Sequence, residues 1–373
     1  MQTPWLIVGA GFTGATLAER IATQFQQQVL LVDARNHIGG NAYDYHDEHG
    51  VQIHKYGPHI FHTNSPKVRD YLSQFTAWRP YFHRVEAVVE GQQISIPYNL
   101  NSLYATFPAQ HAAKLENLLL EQFGYGARVP ILGLRTSTDG DLKRLADFVY
   151  DNVFKEYTRK QWELDPEELD PAVTARVPIL ISRDTRYFQD SFQAMPRDGY
   201  TRLFERIVDN PRIRIMLNTP FESIDKEIEY KKLVYTGPID EFFEFQFGEL
   251  PYRSLDFDFQ FHNQERYQST GTVNYPNDYR FTRITEFKYL TAQKCSGTTI
   301  AVEFPSKFVR EKNVRYYPIP QQVNQGLYQQ YLEHAQRVSP NTIFAGRLGD
   351  YRYYNMDQAV ARALKLFEDL KPA

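Results

Sequence analysis

One stretch near the N-terminus constrains the fold more than any other. Trp5-Leu6-Ile7-Val8 is an apolar run of strand length, and it leads into Gly9-Ala10-Gly11-Phe12-Thr13-Gly14, a GxGxxG turn. A helical pattern follows over Ala15–Ala22, then a second apolar run, Val29–Val32, closed by Asp33. Asp33 stands 19 residues after Gly14, close to the roughly 20 expected between such a turn and the acid that holds a ribose diol. Each part has a physical task. Gly9, Gly11 and Gly14 permit a tight turn and let the backbone approach a pyrophosphate. The following helix N-terminus offers free N–H groups and a partial positive charge. Asp33 accepts hydrogen bonds from ribose hydroxyls. Strand, turn, helix, strand and acid in register predict a parallel α/β unit that binds a dinucleotide.

The next residues narrow the choice of dinucleotide. Arg35 lies just past the ribose acid, and Gly39-Gly40-Asn41 offers a second glycine turn for backbone contact with an extended ligand. That arrangement is similar to the FAD-binding half of glutathione-reductase-like flavoproteins, although on this stretch alone an ordinary polar loop reads equally well.

Composition excludes several classes. Net charge is −3, from 42 Lys+Arg against 45 Asp+Glu, so no broad basic field invites nucleic acid and an anionic ligand must be met by local arginines. Cys295 is the single cysteine. It rules out a disulfide scaffold and a zinc site built on cysteine pairs, and it fits a reducing, cytoplasmic setting. No apolar run approaches the roughly 20 residues of a spanning helix, and the N-terminus carries no basic leader, so no membrane insertion is expected. His59 and His62 are spaced i, i+3, but Gly57-Pro58 disfavours a helix there and no carboxylate completes a site. No metal is expected. Aromatic residues make up 15% of the chain; such rings suit nucleotides and sugars as well as cores.

Beyond the ribose acid, nine strings are spread over nearly the whole chain. They are RNHIGGNAYD (Arg35–Asp44), IHKYGPHIFHTN (Ile53–Asn64), YTRKQW (Tyr157–Trp162), RYFQDSFQAMPRDGYT (Arg186–Thr201), YTGPIDEFF (Tyr235–Phe243), PYRSL (Pro251–Leu255), FTRITE (Phe281–Glu286), YYP (Tyr316–Pro318) and GRLGDYRYYNMDQ (Gly346–Gln358). Together they resemble the bacterial UDP-galactopyranose mutase family of flavoenzymes. The resemblance implies an isomerase that interconverts UDP-galactopyranose and UDP-galactofuranose with no net redox change. The route is a covalent adduct between N5 of reduced FAD and the sugar's anomeric carbon. It also implies an external reductant such as NAD(P)H, a homo-oligomer, and a place in making galactofuranose for surface polysaccharide. A mutase for a related sugar, such as UDP-N-acetylgalactopyranose, is the alternative.

The resemblance assigns residues as well. Arg176, on a mobile lid near 165–180, and Arg283, fixed, face the diphosphate; guanidinium suits phosphate better than ammonium does. His62 lies at the reactive face of the flavin. Tyr187, Tyr316 and Tyr353 donate to the diphosphate, Tyr157 stacks on uracil beside Phe188, Trp162 borders the sugar, and Asn355 lies on the substrate side. Gly9, Gly11, Gly14, Asp33, Gly40, Asn41, His59, Arg253, Arg347 and Met356 contact the cofactor, and Glu303 is a carboxylate near the site. Asn355 also reads as the N-cap of a helix starting at Met356. Three departures stand out: Asn355 replaces a common aspartate, Leu180 replaces a second lid arginine, and Tyr81–Arg84, which borders the sugar, differs from the enterobacterial pattern.

The expected architecture is α/β: a Rossmann-type FAD-binding domain with an inserted helical domain and an antiparallel β-sheet domain. The FAD-binding domain is discontinuous, over 1–80, 206–239 and 331–373. The helical domain covers 100–195, with periodic apolar positions over Ala112–Phe123 and Leu142–Trp162. The sheet domain takes 81–99, 196–205 and 240–330, with strand signals at Val85–Val89, Ile94–Ile96, Val273–Tyr275, Thr282–Tyr289 and Thr298–Phe304. An amine oxidase would not need the two phosphate-facing arginines. A nicotinamide-bound dehydrogenase would need a second GxGxxG, which the chain lacks.

Overall fold

The structure is a computed structural model, and it describes residues 2–169 and 178–373. Gln2–Val8 forms the centre of a five-stranded parallel sheet, in the order Ile213–Met216, Val29–Val32, Gln2–Val8, Glu229–Tyr235, Thr342–Phe344. Leu6, Ile7, Leu31, Leu233 and Val234 are fully buried, as expected for a parallel sheet covered on both faces. Side chains alternate between the two covers. Trp5 and Ile7 pack with helices Phe12–Arg20 and Met356–Asp369, whereas Leu6 packs with Tyr328 and Tyr331 of helix Gln322–Val338.

A second sheet has seven strands, in the order Tyr317–Pro318, Tyr252–His262, Thr298–Lys307, Arg283–Glu286, Thr272–Asn274, Val85–Val89, Gln92–Ile96. It is mixed and not purely antiparallel: Thr272–Asn274 pairs Val85–Val89 in parallel. A long crossover separates these two strands, so the chain re-enters the sheet from the same end. The eleven-residue strand Tyr252–His262 was not foreseen. Its signal was the alternation Asp256, Phe257, Asp258, Phe259, Gln260, Phe261. Conversely, the run Thr282–Tyr289 is not one strand. It ends at Glu286, and Phe287–Thr291 is helical. The helical turn brings Phe287 and Leu290, three apart, into one core, where both are fully buried. A strand would point them to opposite faces.

The insert is helical. Leu100–Thr106, Ala109–Phe123 and Gly140–Val149 enclose Leu103, Ala112, Leu115 and Leu145. Asn99 and Asp139 cap two of them: Asn99 Oδ1 accepts from Asn101 N at 2.8 Å, and Asp139 Oδ1 from Asp141 N at 2.9 Å. A wide π turn, Tyr150–Lys155, then re-aims the chain into helix Glu156–Trp162.

Two expected assignments change. Residues 196–205 do not join the second sheet as a group: helix Tyr200–Ile207 buries Tyr200, Leu203 and Phe204 against the parallel sheet's helices, with Phe204 4.6 Å from Phe12 between ring centroids. Residues 242–250, expected in the sheet domain, also belong with the first sheet, because Phe242, Phe243 and Leu250 pack in one cluster with Tyr331 and Leu233.

Candidate active site

The glycine turn opens a cavity of about 490 Å3. Gly9 has φ +99°, and a Cβ there would sit 2.0 Å from Thr236 Oγ1. A Cβ on Gly14 would lie 1.9 Å from Gly9 O, so only glycine lets this helix approach this strand. The two glycine turns meet: a Cβ on Gly40, at φ +56°, would come within 2.9 Å of Gly11 Cα. The result is a cradle of bare backbone at the N-terminus of helix Phe12–Arg20, which has no acidic residue in its first turn. Asp33 fastens the cradle. Its Oδ2 accepts from Ala10 N at 2.8 Å and its Oδ1 from Arg35 N at 2.9 Å, which leaves lone pairs for a ribose. Arg35 donates to Asn41 Oδ1 at 2.9 Å and lies over the Tyr56 ring. These donors and this shape fit a dinucleotide pyrophosphate. Sequence reasoning missed Glu241 and Arg315, which pair at 2.9 Å in the same wall. Burial raises the Glu241 carboxyl above its ordinary range.

A second cavity, of about 430 Å3, adjoins the first. His59, Tyr316, Arg347, Tyr354, Asn355 and Met356 line both. His59 is neutral there, because burial, then His54 and the cations nearby, draw its pKa down to about 3. Its Nδ1 lies 2.8 Å from Gly57 O, so the ring proton sits on Nδ1 and Nε2 is left as an acceptor. Arg347 donates to Tyr354 O at 3.0 Å. Helix Met356–Asp369 begins at the junction, with Gln358 Oε1 accepting from Asn355 N at 2.9 Å. Its partial positive end favours an anion at that point.

The second cavity carries an excess of positive charge. Arg283 and Glu303 are register partners on neighbouring strands, and Glu303 Oε2 takes both Arg283 Nε at 2.8 Å and Nη2 at 2.7 Å. Glu303 is 1% exposed and Arg283 25%, so the guanidinium is the more accessible of the two. Burial works against the Arg283 charge, but Glu303 and the tyrosines around it hold its pKa well above the usual value. His62 Nδ1 lies 2.8 Å from Asp190 Oδ2, and its ring stacks on Phe188 at 3.7 Å. The hydrogen bond to His62 keeps the Asp190 carboxyl below its ordinary range. Sequence reasoning missed Asp190, although it sits in the RYFQDSF string two residues after Phe188. His83, from the divergent Tyr81–Arg84 stretch, also lines this cavity; burial takes its pKa to about 3. Arg128, Arg283 and Arg347 face Asp190 and Glu303 here, three cations against two carboxylates.

Tyr157 and Trp162 stand apart from that cavity. They line a smaller one, of about 90 Å3, which shares Tyr187 and Asn274 with the second. Trp162 packs near Tyr353, at 6.0 Å between centroids. Arg253 lines none of the three cavities, so its expected flavin contact is replaced by another role. Its Nε donates to Gln161 O at 2.9 Å, its Nη2 to Lys160 O at 3.2 Å, and its Nη1 pairs with Glu163 at 2.7 Å. A helix C-terminus leaves carbonyls without donors, and the buried guanidinium supplies them. Arg176 and half of the expected lid, residues 170–177, lie outside the described residues. Leu180 is buried and pairs with Arg128 in a short ladder. Among the described residues, no cluster of His, Cys, Asp and Glu could hold a metal ion, and no helix is long and apolar enough to cross a membrane.

Comparison with known proteins bears on the same features. The family description for UDP-galactopyranose mutase matches residues 152–353, and that for an NAD(P)-binding Rossmann-like domain matches residues 7–75. A probable UDP-galactopyranose mutase of Klebsiella pneumoniae is 38% identical, over 98% of this chain and 94% of its own length. A dTDP-fucopyranose mutase of Escherichia coli is 34% identical, over 96% of each chain. A crystal structure of reduced UDP-galactopyranose mutase has the same fold, with a TM-score of 0.73 at 14% identity, over 99% of this chain and 93% of that one.

Proposed function

This chain belongs to the UDP-galactopyranose mutase family, and from that premise we propose that it interconverts UDP-galactopyranose and UDP-galactofuranose on reduced FAD. One observation carries the reading: the dinucleotide cradle opens directly, through six shared residues, into a cavity lined by three arginines. A flavin held by the first cavity would meet a sugar diphosphate held by the second.

When bound, reduced FAD would supply a nucleophilic nitrogen for chemistry at the anomeric carbon. The chain's own residues do the rest. Gly9, Gly11, Gly14, Gly40 and Asn41 hold the pyrophosphate, and Asp33 the ribose. Arg347 and the N-terminus of helix Met356–Asp369 favour the anionic, reduced cofactor. Arg283, with Arg176, bears the charge that grows on the diphosphate as it leaves. Tyr187, Tyr316 and Tyr353 add neutral donors. Phe188 faces the base from the second cavity, and Tyr157 and Trp162 would meet the substrate from the smaller cavity that shares Tyr187 and Asn274 with it. His62, with Asp190 on Nδ1, presents Nε2 as a proton acceptor.

Chromatography of UDP-galactofuranose incubated anaerobically, with and without dithionite, tests this directly. Conversion to the pyranose with dithionite alone is the expected result. Absence of conversion by a protein carrying reduced FAD would overturn it. A second substrate belongs in the same assay. The relative that is named a dTDP-fucopyranose mutase, and the divergent stretch that puts His83 in the cavity wall, favour a 6-deoxy sugar on dTDP as the competing reading.

A further inference from the structure

The hairpin between strands Thr272–Asn274 and Arg283–Glu286 encloses a cation. The loop 275–281 turns so that the carbonyl oxygens of Tyr275, Asn277, Tyr279 and Phe281 converge on one point. Lys160 Nζ occupies it, at 2.6, 3.1, 2.9 and 3.2 Å. The lysine comes from a different element, the last turn of helix Glu156–Trp162. Four carbonyl dipoles aimed inward repel one another unless a positive charge lies between them, and an ammonium has three protons to share among them. The rings of Tyr275, Tyr279 and Phe281 pack at 4.8–5.0 Å around the outside, and Asn277 Nδ2 ties the loop to Asn152 O at 3.0 Å. Glu156 and Asp278 are the charged groups near the ammonium.

The placement gives the cage a consequence. Asn274 and Arg283, which flank the loop, are register partners and both line the second cavity. The helix that sends Lys160 into the loop also carries Tyr157 and Trp162 in the wall of the third. On its other side, Arg253 holds the helix's last carbonyls to strand Tyr252–His262. We infer that Lys160 is a positioning residue: its ammonium templates the 275–281 loop and so sets the spacing between Tyr157 and Trp162 on one wall and Asn274 and Arg283 on the other. The inference rests on the mutase reading for its kinetic consequence and on geometry alone for the cage.

The test therefore has two arms, both on FAD-loaded protein. Lys160→Met keeps the aliphatic stem and removes the charge. Amide hydrogen exchange should speed up about tenfold or more at Tyr275 and Thr282, whose amides bond Thr282 O and Glu303 O in the parent. Lys160→Ala should raise KM for UDP-galactofuranose about tenfold with kcat within about threefold. n-Propylammonium, which replaces the deleted atoms, should lower that KM again, and tetramethylammonium at equal ionic strength should not. Parent-like exchange in Lys160→Met overturns the cage, whatever the substrate is. A parent-like KM in Lys160→Ala, or a raised KM indifferent to propylammonium, overturns the positioning role. Loss of FAD by both variants makes the lysine a fold element and overturns it too. A parent protein that does not turn over UDP-galactofuranose counts against the proposed function, and the exchange arm then decides the cage.

Discussion

Arg283 is a structural partner of Glu303 and, in the proposed reaction, a cation for the diphosphate. Its partner Glu303 is almost wholly buried, so Arg283→Ala leaves a carboxylate in the interior with no counter-charge. Such a loss costs about 3 kcal/mol or more. Adding Glu303→Gln removes the buried charge. The double variant should recover most of that stability in denaturant unfolding and still fall short of parent turnover by about 100-fold or more. Parent-like turnover in the double variant would remove Arg283 from the diphosphate site. His83 offers a separate check through pH. A histidine free in the unfolded chain titrates near 6.5, whereas burial holds His83 near 3. The unfolded state therefore takes up a proton first. The folded state is unaffected above pH 6.5 and loses stability as pH falls from 6.5 towards 3. At pH 5 the loss from one such residue is about 2 kcal/mol. His83→Gln should shrink the drop in unfolding free energy between pH 7.5 and pH 5 by about that amount, and an unchanged drop would mean that His83 is solvated.

At the scale of elements, the two glycine turns act as one device. The two turns close on each other, and a Cβ on Gly40 would come within 2.9 Å of Gly11 Cα. Gly40→Ala adds strain at φ +56° to that clash. It should yield folded protein with little or no visible flavin absorbance, and Gly14→Ala should do the same by forcing the first helix away from Gly9. Full FAD content in Gly40→Ala would break the link between the turns. This device was legible in the sequence because its parts lie within the first 41 residues and each glycine answers a local backbone demand. Helix Glu156–Trp162 was legible as a helix from its periodicity, but its anchoring was not. Arg253 and the loop 275–281 reach it from elements about a hundred residues away.

Across the whole molecule, the parallel sheet carries the glycine turn of the first cavity, and the seven-stranded sheet carries Arg283 and Glu303 of the second. The α/β class, the parallel dinucleotide unit and the family were readable from residues near in sequence, because hydrophobic runs, glycine turns and short motifs are local signals. The mixed character of the second sheet, the relocation of Tyr200–Ile207, and the pairs His62–Asp190 and Arg283–Glu303 were decided by the tertiary structure. His62 and Asp190 are 128 residues apart, and Arg283 meets Glu303 because strand register puts them opposite each other. A backbone needs only its neighbours to know that it must turn. A buried charge needs the one counter-charge that folding brings within reach, and no local pattern says which residue that will be.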